Sequence, residues 1–78
     1  NGDVYIGSYK NGDMHGKGKY SWHESGTVYV GSYVNDSRTG QGTLTFRNGQ
    51  VEKGTYLNDE FVKGVITYSG GKKEKFEK

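Results

Sequence analysis

An all-β fold, a single-layer curved antiparallel meander of β-hairpin repeats with an open, solenoid-like form, is predicted for this 78-residue chain. Three observations predict it. Side-chain character alternates with a period of two, turn signals return about every ten to twelve residues, and the chain resembles itself when shifted by about 23 residues. Taken in order, the first unit opens with Tyr5-Ile6-Gly7-Ser8-Tyr9, turns at Asn11-Gly12 and returns through Gly16-Lys17-Gly18-Lys19-Tyr20-Ser21-Trp22. The second opens with Tyr29-Val30-Gly31-Ser32-Tyr33, turns at Asn35-Asp36 and returns through Gly40-Gln41-Gly42-Thr43-Leu44-Thr45-Phe46. The third runs Glu52-Lys53-Gly54-Thr55-Tyr56, Asn58-Asp59 and a shortened Gly64-Val65-Ile66-Thr67-Tyr68. Asn-Gly and Asn-Asp tolerate positive φ at both central positions, so each pair is expected to close a tight hairpin. Ser25-Gly26, Asn48-Gly49 and Gly70-Gly71 mark the looser returns. A fourth unit begins at Lys73-Glu74-Lys75-Phe76, with Phe76 where glycine is expected. The repeats thus cover approximately residues 3–26, 27–49 and 50–71, with a partial fourth at 72–78, and the chain reads as a piece of something longer.

Period two also sorts the faces. Tyr5, Tyr9, Tyr20, Trp22, Tyr29, Tyr33, Leu44, Phe46, Tyr56, Ile66 and Tyr68 fall on one side together with the strand glycines. The opposite side is mixed and mostly suited to water. Glycine within a strand costs backbone entropy and offers nothing to pack, so its placement needs a reason. Each missing side chain leaves a gap in which a neighbouring ring can lie flat, and the sheet can curl toward that side. The expected product is a trough floored by glycine and walled by rings.

Composition narrows the function. A short chain with only 29% hydrophobic residues cannot wrap two layers around a buried pocket, so no enclosed active site and no enzyme activity is expected. With no cysteine there is neither a disulfide framework nor a thiolate metal site, which fits a reducing compartment. The net charge of +2 comes from residues 72–78, leaving seven basic and seven acidic residues in 1–71. A neutral body disfavours nucleic-acid binding. His15 and His23 supply metal-ligand chemistry without a ligand arrangement, and Ser8, Ser32 and Thr55 are one repeat-equivalent set rather than nucleophiles. No cofactor and no metal is expected.

The triplets Tyr5-x-Gly7-x-Tyr9 and Tyr29-x-Gly31-x-Tyr33, with Gly12, His15, Gly16 and Gly18 in the first unit and Thr39-Gly40-Gln41-Gly42 in the second, resemble the MORN (membrane occupation and recognition nexus) repeat. The third unit departs from that pattern. Glu52 replaces the first Tyr, Lys63 and Val65 stand where paired glycines are expected, and one residue is deleted, so a distorted groove is expected there. The resemblance implies a scaffold or docking module, cytoplasmic, placed at the membrane or cytoskeleton.

The expected function is therefore a non-catalytic interaction module that docks a peptide or helix of a protein partner along the aromatic-glycine groove. The groove residues are Tyr5, Tyr9, Tyr20, Trp22, Tyr29, Tyr33, Phe46, Tyr56 and Tyr68. One alternative is a membrane-surface module making weak contact with acidic phospholipid through Lys72, Lys73, Lys75 and Lys78. Another is a carbohydrate-binding β-repeat, against which stands the absence of adjacent aromatic pairs. The open sheet edges further predict homo-oligomers by stacking or edge pairing.

Overall fold

The computed structural model describes residues 2–78. Seven strands follow in chain order: β1 Val4–Lys10, β2 Asp13–Ser21, β3 Val28–Val34, β4 Ser37–Thr45, β5 Val51–Leu57, β6 Glu60–Thr67 and β7 Lys73–Glu77. They form one antiparallel sheet in the order β1-β2-β3-β4-β5-β6-β7, with β1 and β7 at its edges. The Cα envelope measures 40 × 26 × 14 Å, the thin axis of a bent single layer.

The tight turns fold as their dipeptides dictate. Asn11 and Gly12 have φ of 52° and 84°, Asn35 and Asp36 48° and 70°, Asn58 and Asp59 48° and 71°, the doubly positive geometry whose twist matches that of the flanking strands. A two-residue turn pairs the residues on either side of it at once: Lys10 with Asp13, Val34 with Ser37, Leu57 with Glu60. The returning strands therefore begin several residues before the glycines expected to open them. The wider returns also share one geometry. The N–H of Trp22 donates to the Thr27 carbonyl at 2.9 Å, that of Phe46 to Gln50 at 2.8 Å and that of Tyr68 to Lys72 at 2.7 Å.

A continuous glycine row crosses the sheet: Gly7 pairs with Gly18, Gly18 with Gly31, Gly31 with Gly42, Gly42 with Gly54 and Gly54 with Gly64. Gly64 thus occupies the place of Gly18 and Gly42, so the third unit keeps this glycine, contrary to the expectation from Lys63 and Val65. What it lacks is the bulge glycine. In the first two units, two steps along one strand (Gly7 to Tyr9, Gly31 to Tyr33) oppose four on the next (Gly18 to Met14, Gly42 to Arg38). Gly16 and Gly40, with φ of 89° and 108°, lie within those bulges. In the third unit Gly54 to Tyr56 opposes only the three steps from Gly64 to Phe61. The deleted residue shortens the bulge, and positive φ falls instead on the glycine row itself, at Gly54 (157°) and Gly64 (154°). The row ends where Gly64 meets Phe76 on β7.

The core lies on the glycine-bearing, concave side. Tyr29, Tyr33, Leu44 and Tyr56 are buried, and Tyr5, Met14, Tyr20, Trp22, Phe46 and Phe61 pack against them. Among the described residues no second layer covers these rings. They bury one another, because the absent glycine side chains let each ring lie down on the neighbouring strand.

Candidate functional site: the concave aromatic bed

The first Tyr of each triplet is laid flat by two constraints. Its ring covers the glycine across the strand pair, so closely that a Cβ built on Gly18 would stand 2.4 Å from the Tyr5 hydroxyl and one on Gly42 2.3 Å from that of Tyr29. Its hydroxyl donates to a backbone carbonyl three residues on, Tyr5 to Ser8 at 2.8 Å and Tyr29 to Ser32 at 2.9 Å. The second aromatic of each triplet then meets that ring edge-on. Tyr33 contacts Tyr5 of the preceding unit at 5.4 Å and Tyr29 at 5.3 Å, and Tyr56 contacts Tyr29 at 5.2 Å. Edge-to-face pairs at such distances add to the area term. Burial pushes the phenols of Tyr29, Tyr33 and Tyr56 up from their ordinary value. These phenols stay protonated at neutral pH.

In the third unit Glu52 takes the place of the first Tyr, and its carboxylate accepts from the Tyr56 hydroxyl at 3.1 Å. Phe61 covers Gly64 instead, 2.9 Å from where its Cβ would stand, and stacks on Phe76 at 5.2 Å and 17°. The groove is re-walled rather than left open. Phe61 escaped the sequence reading because it sits just past the turn, at the position of Met14 and Arg38; tracing the register through Asn58-Asp59 would have placed it.

The nine aromatic positions named from the sequence separate into three groups. Tyr29, Tyr33 and Tyr56 are the buried floor at 0%, 3% and 1% exposure. Tyr5, Tyr20, Trp22, Phe46 and Tyr68 are half-buried and line the surface of the groove, while Tyr9 is exposed at the β1 edge. Tyr20 and Trp22 form one ledge, with ring centres 4.6 Å apart. Tyr68 donates to Glu74 at 2.7 Å, a hydrogen bond that raises its phenol pKa.

Arg38 lies among these rings and was not read from the sequence as a site residue. Its guanidinium carbon is 5.6, 5.8 and 5.7 Å from the ring centres of Trp22, Tyr29 and Tyr56. Its Nε lies 3.3 Å from Asp59 Oδ1, and an Nη donates to the Asp59 carbonyl at 2.8 Å.

The turn acids join successive units. The Asp36 carboxylate accepts from the Met14 N–H at 2.7 Å and that of Asp59 from the Arg38 N–H at 2.8 Å. His15 and Thr39 do the same with side-chain acceptors for the N–H groups of Asn35 and Asn58, at 3.4 and 3.1 Å. His15 is thereby a latch between repeats. Asp13 is hydrogen-bonded to Asp36, and that bond, with the charge of Asp36, raises its pKa. Among the described residues no group of three or more His, Asp or Glu side chains is placed to hold a metal ion.

The convex face changes the charge argument. Cross-strand pairing puts Lys19, Val30, Thr43, Lys53, Val65 and Lys75 in one row. Lys17, Lys63 and Lys73 occupy flanking rows of the same face. The body is neutral in sum, as its composition says, but the strand lysines gather on this face, where Glu77 lies opposite Lys63, while Glu52 and Glu74 share the inner row with Tyr5, Tyr20, Tyr29, Leu44 and Ile66. Exposed Val30 and Val65 stand in the row with the outer lysines, and exposed Ile6 ends that row on β1. Of the tail lysines, Lys73 and Lys75 belong to this face and Lys72 is exposed in the preceding turn. Lys78 pairs with Glu60.

A sheet of stacked hairpins, each resting on its neighbours and presenting one ring-lined and one lysine-bearing face, defines a repeat scaffold. The family model for the MORN repeat matches residues 5–27 and 29–51, more than half of the chain. This protein belongs to the MORN repeat family. MORN repeats are generally non-enzymatic protein- or membrane-interaction modules. A search of the curated proteins found no match.

Proposed function

We propose that the chain docks an extended or helical segment of a protein partner along its concave face, over the half-buried rings of Tyr20, Trp22, Phe46 and Tyr68. The observation that carries this reading is the ledge around Trp22. Two clefts of about 300 and 310 Å³ flank it, one reaching Met14 and Asp36, the other Thr27 and Leu44. Aromatic anchors beside such depressions, over a floor that is already packed, are the usual centre of a binding surface. The test uses a peptide selected from a random library on the immobilised protein. Its amide shift changes should map to Tyr20, Trp22 and Phe46, and Trp22→Ala should weaken binding at least about tenfold while the domain stays folded. Shift changes confined to the convex face, or unchanged affinity in the folded variant, would count against the groove.

A second reading is favoured by the convex face itself. Lysines interleaved with exposed valine and isoleucine suit contact with an acidic bilayer, each lysine near such a surface contributing about 1 kcal/mol. Under this reading, vesicles containing phosphatidylserine sediment the protein, pure phosphatidylcholine vesicles do not, and Lys19→Glu with Lys53→Glu abolishes the difference. Equal pelleting with both lipids would remove the idea.

A further inference from the structure

Arg38 shows what side chain this bed can hold. Its guanidinium lies over Tyr29 and Tyr56, with Trp22 on a third side, and is fixed by Asp59. One unit earlier the two tyrosines and the acid of that arrangement recur without the guanidinium. Tyr5 stands for Tyr29, Tyr33 for Tyr56 and Asp36 for Asp59, and the backbone latch is the same, with Asp36 bound to the Met14 N–H as Asp59 is to that of Arg38. Met14 takes the place of Arg38 in the register, opposite Tyr9 as Arg38 is opposite Tyr33. Beside it opens the cleft of about 300 Å³, walled by Tyr20, Trp22 and Tyr33, with Asp36 on its lining and the Arg38–Asp59 pair bordering it as well. Among the described residues no ion pair involves Asp36, whereas Asp59 is paired with Arg38.

We propose that this cleft receives an arginine side chain of the docked partner, its guanidinium resting on the rings and pairing with Asp36. Arginine fits better than lysine on two grounds. Its planar fork matches a carboxylate and stacks on aromatic faces, and the chain's own occupant of the equivalent place is an arginine. The inference rests on the concave-face reading above and specifies the partner that face would select: a segment carrying an arginine over Trp22.

The sole tryptophan of the chain, Trp22, lines the cleft, so its fluorescence and indole N–H signal report occupancy. The probes are N-acetyl-Ala-Arg-Ala-amide, the same peptide with citrulline, which keeps the shape and lacks the charge, and the same peptide with lysine. The arginine peptide should shift the Trp22 and Asp36 signals saturably at millimolar concentration, with smaller effects from lysine and none from citrulline. Asp36→Asn keeps the acceptor for the Met14 N–H and should weaken the arginine peptide about fivefold, as expected for loss of one charged partner. Met14→Arg rebuilds the Arg38 arrangement within the chain and should abolish the response. If citrulline or lysine shifts Trp22 as strongly as arginine, or if both Asp36→Asn and Met14→Arg bind like the parent, the inference is overturned. A library-selected peptide that still occupies the concave face of Met14→Arg would leave the groove reading standing while ending the arginine one.

Discussion

Replacing Gly31 by alanine is expected to abolish folding of this chain. An added Cβ would stand 2.5 Å from the Gln41 carbonyl oxygen and 2.5 Å from the Gly42 Cα, and both are backbone atoms of β4, which no rotamer change can move. Relief requires β3 and β4 to separate at the centre of the sheet, where Tyr29 and Tyr33 are anchored. Overpacking of this kind costs several kcal/mol, against a folding free energy of about 4–12 kcal/mol for a domain of this length. Gly70→Ala is the matched control, because nothing lies within 4 Å of its Cβ and its φ is not in the positive range; it should change stability by less than about 0.5 kcal/mol. Circular dichroism and urea unfolding of the two variants check the pair. A Gly31→Ala protein that unfolds at the parent's urea concentration would show that the strands are not held as closely as the glycine row requires.

The same row explains why so much of the fold was legible. Turn chemistry is local, so Asn11-Gly12, Asn35-Asp36 and Asn58-Asp59 announce hairpins without knowledge of anything distant. Period-two alternation then assigns the faces, and every aromatic position named for the groove belongs to the glycine-bearing side or the returns that flank it. Burial was not legible, because it depends on the neighbouring unit. Tyr9, Tyr33 and Tyr56 hold one repeat position, yet Tyr9 is 61% exposed and the other two 3% and 1%. Tyr33 is covered by Tyr5 and Tyr56 by Tyr29, each from the unit before, whereas Tyr9 meets only Tyr5 of its own unit. The charge pattern was hidden for a related reason: counting along the chain sums the two faces that the sheet separates. Met14, Arg38 and Phe61 were hidden because they share a register and not a residue type. Their place next to the groove follows only from the cross-strand pairing set by the turns.

Tyr29 is where fold and groove depend on the same ring, and its truncation should have the largest effect of any side-chain change. It is fully buried, edge-on to both Tyr33 and Tyr56, beneath Arg38 and against the backbone of Gly42. Tyr29→Ala removes the ring that fills the space left by two glycines, and the loss is expected at about 3–5 kcal/mol, as for other large aromatic truncations. Tyr29→Phe keeps the packing and strands only the Ser32 carbonyl, at a cost of about 1 kcal/mol. Tyr9→Ala, made at the equivalent of a buried position but on an exposed ring, should cost less than either. Urea midpoints for the three variants test the order Tyr29→Ala, Tyr29→Phe, Tyr9→Ala from largest loss to smallest. If Tyr29→Ala and Tyr9→Ala proved equal, stability would not flow from one unit's ring lying on the next, and the stacked-hairpin account of the core would fail. The order also fixes where binding can be read cleanly. Loss of a ligand from Tyr29→Ala would report a melted floor, whereas loss from Trp22→Ala in a folded protein would report the contact itself.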